Sequence, residues 1–336
     1  MHPLRSLLPV IVLLAGCVSP PPPAEPPLVW PGAPDEPRVA YVQSIATASD
    51  VGIDKGWLQR LGELLFGAEV LRIVRPMAVV ETAGTLYVAD PGVRGVHSFD
   101  RAKGRHLILR GAGGQALPSP VGLARGASGE VFVTDSSLRK VFVITPGADT
   151  AVEVPLQAEL RQPTGIAFDA ASGRLFVVDT TAHQVLVFER DGRLASRLGQ
   201  RGEAEGQFNY PTLLWRDVQG WLYVTDSLNF RVQIFDEHGR FKSSFGRHGN
   251  GSGDMARHKG VATDSRGHIY VVDGLLHALQ IFDRKGQLLL GLGGQGPERG
   301  EFWLPAGLFI GDHDTIYVAD TYNRRVQVFR YVGGAT

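Results

Sequence analysis

The stretch Tyr317–Phe329, YVADTYNRRVQVF, reads as an apolar strand closed by Asp320, a turn carrying Asn323, and a second strand with alternating apolar residues. Weaker copies lie upstream: YVAD ending at Asp90, FVTD at Asp135, FVVD at Asp179, YVTD at Asp226 and YVVD at Asp273. The six closing aspartates are spaced 45, 44, 47, 47 and 47 residues apart. A recurrence of that length marks a repeat architecture, and its strand-turn-strand content predicts a propeller rather than a helical solenoid. Gly is 42 of 336 residues, as expected where many strands are joined by tight turns that need positive φ.

Each repeat opens on an inner strand led by Pro76, Pro120, Pro163, Pro211, His258 or Pro305. The last repeat supplies strands near 306–310, 315–319 and 326–330 and then stops. It lacks the fourth strand that 194–198, 241–245 and 288–292 give to others. An orphan strand at 38–47, RVAYVQSIAT, fits that vacancy. Pairing the two closes the ring and removes a long exposed edge. Between the orphan strand and the first repeat, Trp57, Leu58, Leu61, Leu64 and Leu65 fall on one face at helical spacing. They predict one short helix over 55–66, ended by Gly67 and packed over a face of the ring.

The best repeats are preceded by glycine-spaced loops, GQRGEAEGQFNYP before Thr212 and GGQGPERGEFWLP before Ala306. Together with YVADxxNxRVQVF, this closely resembles the NHL repeat. The resemblance spans nearly the whole chain from Arg38 to about Val332 and implies an all-β, six-bladed NHL β-propeller. The turn Asn and Arg are intact only as Asn229/Arg231 and Asn323/Arg325. They read as turn chemistry, Asn tolerating the left-handed region and Arg reaching a neighbouring acceptor. The sixfold Asp reads as framework.

The first 37 residues carry an address. His2 and Arg5 precede an apolar run from Leu7 to Leu14, too short to cross a ~30 Å hydrocarbon core as a helix but suited to a signal peptide. Leu14-Ala15-Gly16-Cys17 closely resembles the lipobox of bacterial lipoproteins. It implies a signal peptide over 1–16 and a lipid anchor on Cys17, the chain's one cysteine. Val18 rather than Asp after it favours the outer membrane, with the propeller in the periplasm or facing outward. Residues 17–37 are proline-rich and read as a polyproline stalk, with the propeller over 38–332.

Chemistry is sparse. With 34 basic and 34 acidic side chains the formal net charge is zero, which argues against a general electrostatic grip on nucleic acid. One cysteine excludes an internal disulfide, a zinc CxxC pair and a haem CxxCH site. There is no HExxH, GxSxG or Walker loop. NHL-type propellers include peptidyl amidating lyases, whose zinc-binding histidines follow the proline of inner strands. Here those positions are Met77, Val121, Thr164, Thr212, Lys259 and Ala306, so that zinc triad is missing. Lactonase-like propellers need axial carboxylates, and the inner strands MAVVE, VGLAR, TGIAF, TLLWR, KGVAT and AGLFI offer Glu81 alone. No cofactor is expected.

What remains is the loop face around the channel mouth, where Tyr210, Arg257, His258, Lys259 and Trp303 place aromatics beside cations, a composition found at interface hot spots. The expectation is a monomeric, non-catalytic envelope lipoprotein whose propeller binds a protein or glycan partner. The alternative is a metal-assisted hydrolase or lyase working at the channel mouth.

Overall fold

The structure is a computed structural model that describes residues 26–53 and 71–333. Strands and short 3-10 turns make up its regular structure, and none of the described helical segments is long and apolar enough to cross a membrane. The signal peptide, Cys17, the first part of the proline-rich stretch and the helix expected over 55–66 all lie outside the described residues.

The periodic aspartate strands are apolar runs because both their faces are covered. Every residue of Leu222–Asp226 and Ile269–Asp273 is buried, whereas outer strands such as Leu194–Leu198 and Phe241–Phe245 face solvent for much of their length. Among the described residues five hydrogen-bonded sheets result. Three are four-stranded antiparallel meanders, running over 163–198, 211–245 and 258–293. A fourth sheet has eight strands, two meanders over 78–111 and 120–153. They join where outer strand Arg105–Gly111 pairs in parallel with Thr150–Glu153 through Arg110↔Thr150 and Gly111↔Ala151.

The fifth sheet contains both ends of the chain. Val39–Ile45 pairs antiparallel with Arg325–Tyr331, from Val39↔Tyr331 to Ile45↔Val326, as the orphan strand requires. Val29–Trp30 adds a further strand outside it, and Trp30 packs edge-on against Phe329 with ring centroids 5.8 Å apart. Val29 and Trp30, within the proline-rich stretch, are therefore paired with the folded unit.

The inner strands contact one another in cyclic order: Ala78–Thr82, Pro120–Arg125, Pro163–Asp169, Pro211–Arg216, His258–Thr263, Leu308–Ile310, and back to Ala78–Thr82. Glycine sets how closely they approach. A Cβ on Gly165 would lie 2.7 Å from Leu213 Cα, and one on Gly307 would lie 2.5 Å from Met77 O and 2.7 Å from Ala78 Cα. The Gly307 contact is the seam between the last repeat and the first. Away from the axis, Phe99, Phe188, Phe235, Phe282 and Phe329 hold one register position of the third strand and are at most 1% exposed. These sheets arranged around a closed ring of inner strands define a propeller-like, all-β fold.

Candidate binding site at the channel mouth

The six aspartates are the fixtures on which the mouth is built. Each is at most 1% exposed. Each accepts hydrogen bonds from backbone amides of the segment leading into its own repeat's inner strand. Asp273 takes Ala256 N at 2.8 Å and Arg257 N at 2.9 Å, and Asp90 takes Val74 N at 2.7 Å and Arg75 N at 3.0 Å. Asp320 takes Trp303 N at 2.8 Å, and Asp226 takes Asn209 N at 2.6 Å. A carboxylate buried at the end of a rigid central strand thus fixes where each rim residue leaves the loop. This is the framework role expected of them.

The complete repeats add a second layer. Asn229 and Asn323 donate to the carbonyls of Gly202 at 2.9 Å and Gly296 at 2.8 Å, and Arg231 and Arg325 bond the carbonyls of Gln207 and Glu301 at 3.0 and 2.9 Å. Gln233 and Gln327, seven residues beyond their aspartates, donate to those same two carbonyls. In the first repeat the equivalent position is His97, whose Nε2 lies 3.2 Å from Asp90 and whose Nδ1 lies 2.9 Å from His106 Nε2. Burial would raise the Asp90 carboxyl, but bonding to His97 and two backbone amides carries it below the usual range. Burial, then the neighbouring His97, pushes His106 down to about 4.

One expectation about the turn needs correction. The left-handed residue is the one after the Asn, Phe230 at φ 53° and Arg324 at φ 56°. The Asn side chain is used as a bridge instead. The same left-handed position holds His183 and His277, whose Nδ1 atoms accept the amides of Tyr210 and Leu304, both at 3.2 Å. Those histidines are framework.

The five residues singled out in the sequence sort into three kinds. Tyr210 and Trp303 stand at the surface, 40% and 46% exposed, and Trp303 lies 6.0 Å from the ring of exposed Tyr322. Arg257 is exposed and Lys259 half-buried. Burial, reinforced by Arg257, lowers the Lys259 ammonium from its ordinary value, with Asp273 acting the other way. His258 is beneath the surface, 0% exposed, with Nε2 donating to Arg231 O of the preceding repeat at 2.9 Å. It occupies a slot in which Pro76, Pro120, Pro163, Pro211 and Pro305 are also buried, so the frame of the repeat already contains the signal.

Arg257 and Lys259 line a cavity of about 330 Å³ at this mouth, together with Arg75, Ser119, Thr321 and Tyr322. Arg75 belongs to the frame of Arg257, one residue before the inner-strand proline, and aligning the repeats on that proline would find it.

At the opposite ends of the inner strands lies a larger chamber of about 850 Å³, lined in part by Trp215, Phe309, Asp169, Arg216 and Asp264. Of its five carboxylates among the described residues, Asp312 pairs with Arg125 at 3.3 Å, Asp314 accepts from Ser265 N at 2.8 Å, and Asp169, Asp217 and Asp264 each follow an inner-strand pentapeptide by one residue. All three are engaged. Asp169 pairs with Arg216 at 2.9 Å, and that guanidinium lies 4.5 Å above the Phe176 ring. Asp217 takes Trp221 N at 2.8 Å and Tyr223 OH at 3.2 Å; Asp264 takes His268 Nδ1 at 2.7 Å and Tyr270 OH at 3.0 Å. Among the described residues no three His, Cys, Asp or Glu side chains gather as a metal-ligand set.

Closed inner strands, radial sheets and a loop-lined mouth are those of a β-propeller-like protein. Residues 160–188 and 302–329 match the NHL repeat. No curated protein matches it in sequence. Solved structures do match its fold. A Bacteroides thetaiotaomicron protein of unknown function superposes with a TM-score of 0.63 at 15% identity, covering 87% of this chain and 75% of its own. An auxiliary nutrient binding protein from the same organism gives 0.61 at 12% identity, covering 77% and 70%. Virginiamycin B lyase from Staphylococcus aureus gives 0.55 at 13% identity, covering 77% and 96%.

Proposed function

We propose that this chain is a non-catalytic binding propeller of the cell envelope that takes a protein or glycan partner at the rim around Tyr210, Arg257, Lys259 and Trp303. The observation that carries the reading is the composition of the mouth. Exposed Tyr322, with Trp303 6.0 Å from its ring, borders a cavity whose charged lining among the described residues is all cationic, so none of those lining residues is a carboxylate to act as a general base. Buried bonds fix the rim backbone to the framework, which suits recognition by a pre-formed surface. The likeness to an auxiliary nutrient binding protein supports the same reading at the level of fold.

Six repeats and a cycle of six inner strands support a six-bladed propeller, with two blades bridged into the eight-stranded sheet. The lipobox-like sequence at Cys17 supports a lipid anchor, most simply in the outer membrane with the propeller periplasmic or facing outward. With Val29–Trp30 paired to the domain, the tether is shorter than the whole 17–37 stretch.

Cross-linking in intact cells followed by detergent extraction tests the proposal. One defined envelope partner should co-purify with the wild type and be lost with Arg257→Glu combined with Trp303→Ala. Recovery of the same partner from the double variant would overturn the assignment of the face.

The second reading, a metal-assisted hydrolase or lyase, draws on the carboxylates of the far chamber and on the likeness to virginiamycin B lyase. Hairpin bonds and the Arg216 pair occupy those carboxylates, so they would have to be released before they could hold a cation. Purified protein carrying about one tightly held metal per chain, with hydrolytic or lyase activity lost on chelation, would favour this reading.

A further inference from the structure

The 330 Å³ cavity at the mouth gathers three cationic side chains, Arg75, Arg257 and Lys259, in one lining. Several exposed arginines elsewhere are paired, Arg247 with Asp254 at 2.6 Å, Arg174 with Glu189 at 2.8 Å, Arg240 with Asp236 at 2.8 Å and Arg125 with Asp312 at 3.3 Å, while among the described residues others such as Arg94 and Arg197 stand singly on the surface. Arg75, Arg257 and Lys259 line one small cavity, and their side chains have no ion pair or hydrogen bond among the described residues. Among the described residues no acidic side chain lines it. The carboxylates nearest in sequence frame, Asp90, Asp273 and Asp320, are 0% exposed and already hold the rim amides.

Three unpaired cations brought together repel one another, and Lys259 is half-buried among them. Such an arrangement is stabilised by whatever negative charge enters it. The remaining lining supplies neutral hydrogen-bonding groups. Ser119 and Tyr322 offer hydroxyls, and Thr321 directs its own to Pro76 O at 2.8 Å. The backbone of both arginines is pinned to buried aspartates, so the cationic groups are presented from a rigid base.

We propose that the channel mouth is a small-anion site in which Lys259, Arg257 and Arg75 together bind a carboxylate or phosphate group of the ligand or partner. The inference rests on the binding reading of this face and names its chemistry. The site has the size of the smaller ligand pockets. A guanidinium from either arginine can take two oxygens at once, and the ammonium acts as a point charge.

The test is titration calorimetry on the full-length protein in detergent, with citrate and inorganic phosphate as probes and glucose as the uncharged control. Saturable binding of at least one anion at one site per chain is expected, weakening as salt is raised because the rim arginines are accessible to counterions. Lys259→Met and Arg257→Gln should each weaken it about tenfold or more, Lys259→Arg should retain it, and Arg197→Gln on an outer strand should leave it unchanged. Tighter binding of citrate assigns a carboxylate ligand, and of phosphate a phosphorylated one. Absence of saturable binding by both anions, or binding indifferent to both rim substitutions in folded variants, overturns the proposal. A partner still captured from cells in that case leaves the scaffold reading standing. Anion binding lost with the rim substitutions, but with no partner captured, upholds the anion site and removes the scaffold.

Discussion

Arg325 and Asp320 form a buried pair, with Nε 2.9 Å from the carboxylate and the two side chains 13% and 0% exposed. The guanidinium also donates to the carbonyls of Glu298 at 2.7 Å and Glu301 at 2.9 Å. One ion pair thereby joins the end of a central strand to the loop that carries Trp303. Removing one member of a buried pair strands the other and costs about 3–5 kcal/mol. Asp320→Ala should therefore lower unfolding free energy by about that amount in chemical denaturation, because Arg325, Asn323, Gln327 and the Trp303 amide all lose their acceptor. A loss under about 1 kcal/mol, the scale of an exposed pair, would contradict the framework role.

The pair Arg231–Asp226, at 2.8 Å, repeats this arrangement in another sheet. What is legible in the sequence is what the period enforces: the aspartates, the inner-strand prolines, and the closure of Arg325–Tyr331 by Val39–Ile45. Contacts between repeats are not legible in the same way. His258 reads as a surface cation because it replaces a proline, yet the slot is buried and its ring bonds Arg231 O across a sheet boundary. The far carboxylates are hidden because strand ends cannot be fixed to one residue from pattern alone. Arg75 is hidden because adjacency across the mouth is created by ring closure, which joins residues far apart in sequence.

Acid should weaken the fold through His106. Its folded value of about 4 lies below the ordinary histidine value of 6.5, so between those limits the unfolded chain binds a proton that the folded chain does not. Stability is then full above about pH 6.5 and falls as pH drops towards 4, by roughly 2–3 kcal/mol. His106→Gln keeps a hydrogen-bonding partner for His97 without titrating, and should flatten that part of the stability profile. An unchanged slope between pH 6.5 and 4 would count against the Asp90–His97–His106 chain as drawn.

Closure of the ring can be tested at its seam. Gly307→Val places atoms where Met77 O and Ala78 Cα already sit. It should cost about 3 kcal/mol or more, at the upper end for overpacked positions. Gly291→Ala, on an outer strand with no atom within 4 Å of the added carbon, should stay within about 0.5–1 kcal/mol. Equal losses for the two variants in thermal melts would mean that the inner strands are not packed as closely as described.

The most direct test of the binding face places a photo-crosslinking amino acid at one of two exposed positions in living cells. Trp303 stands on the rim beside the cationic cavity, and Val218 lies in a turn at the other end of the inner strands, beside the larger chamber. Adducts to a defined envelope partner from position 303 and none from position 218 are the expected result. Adducts from position 218 alone would contradict the account and move the site to the far chamber.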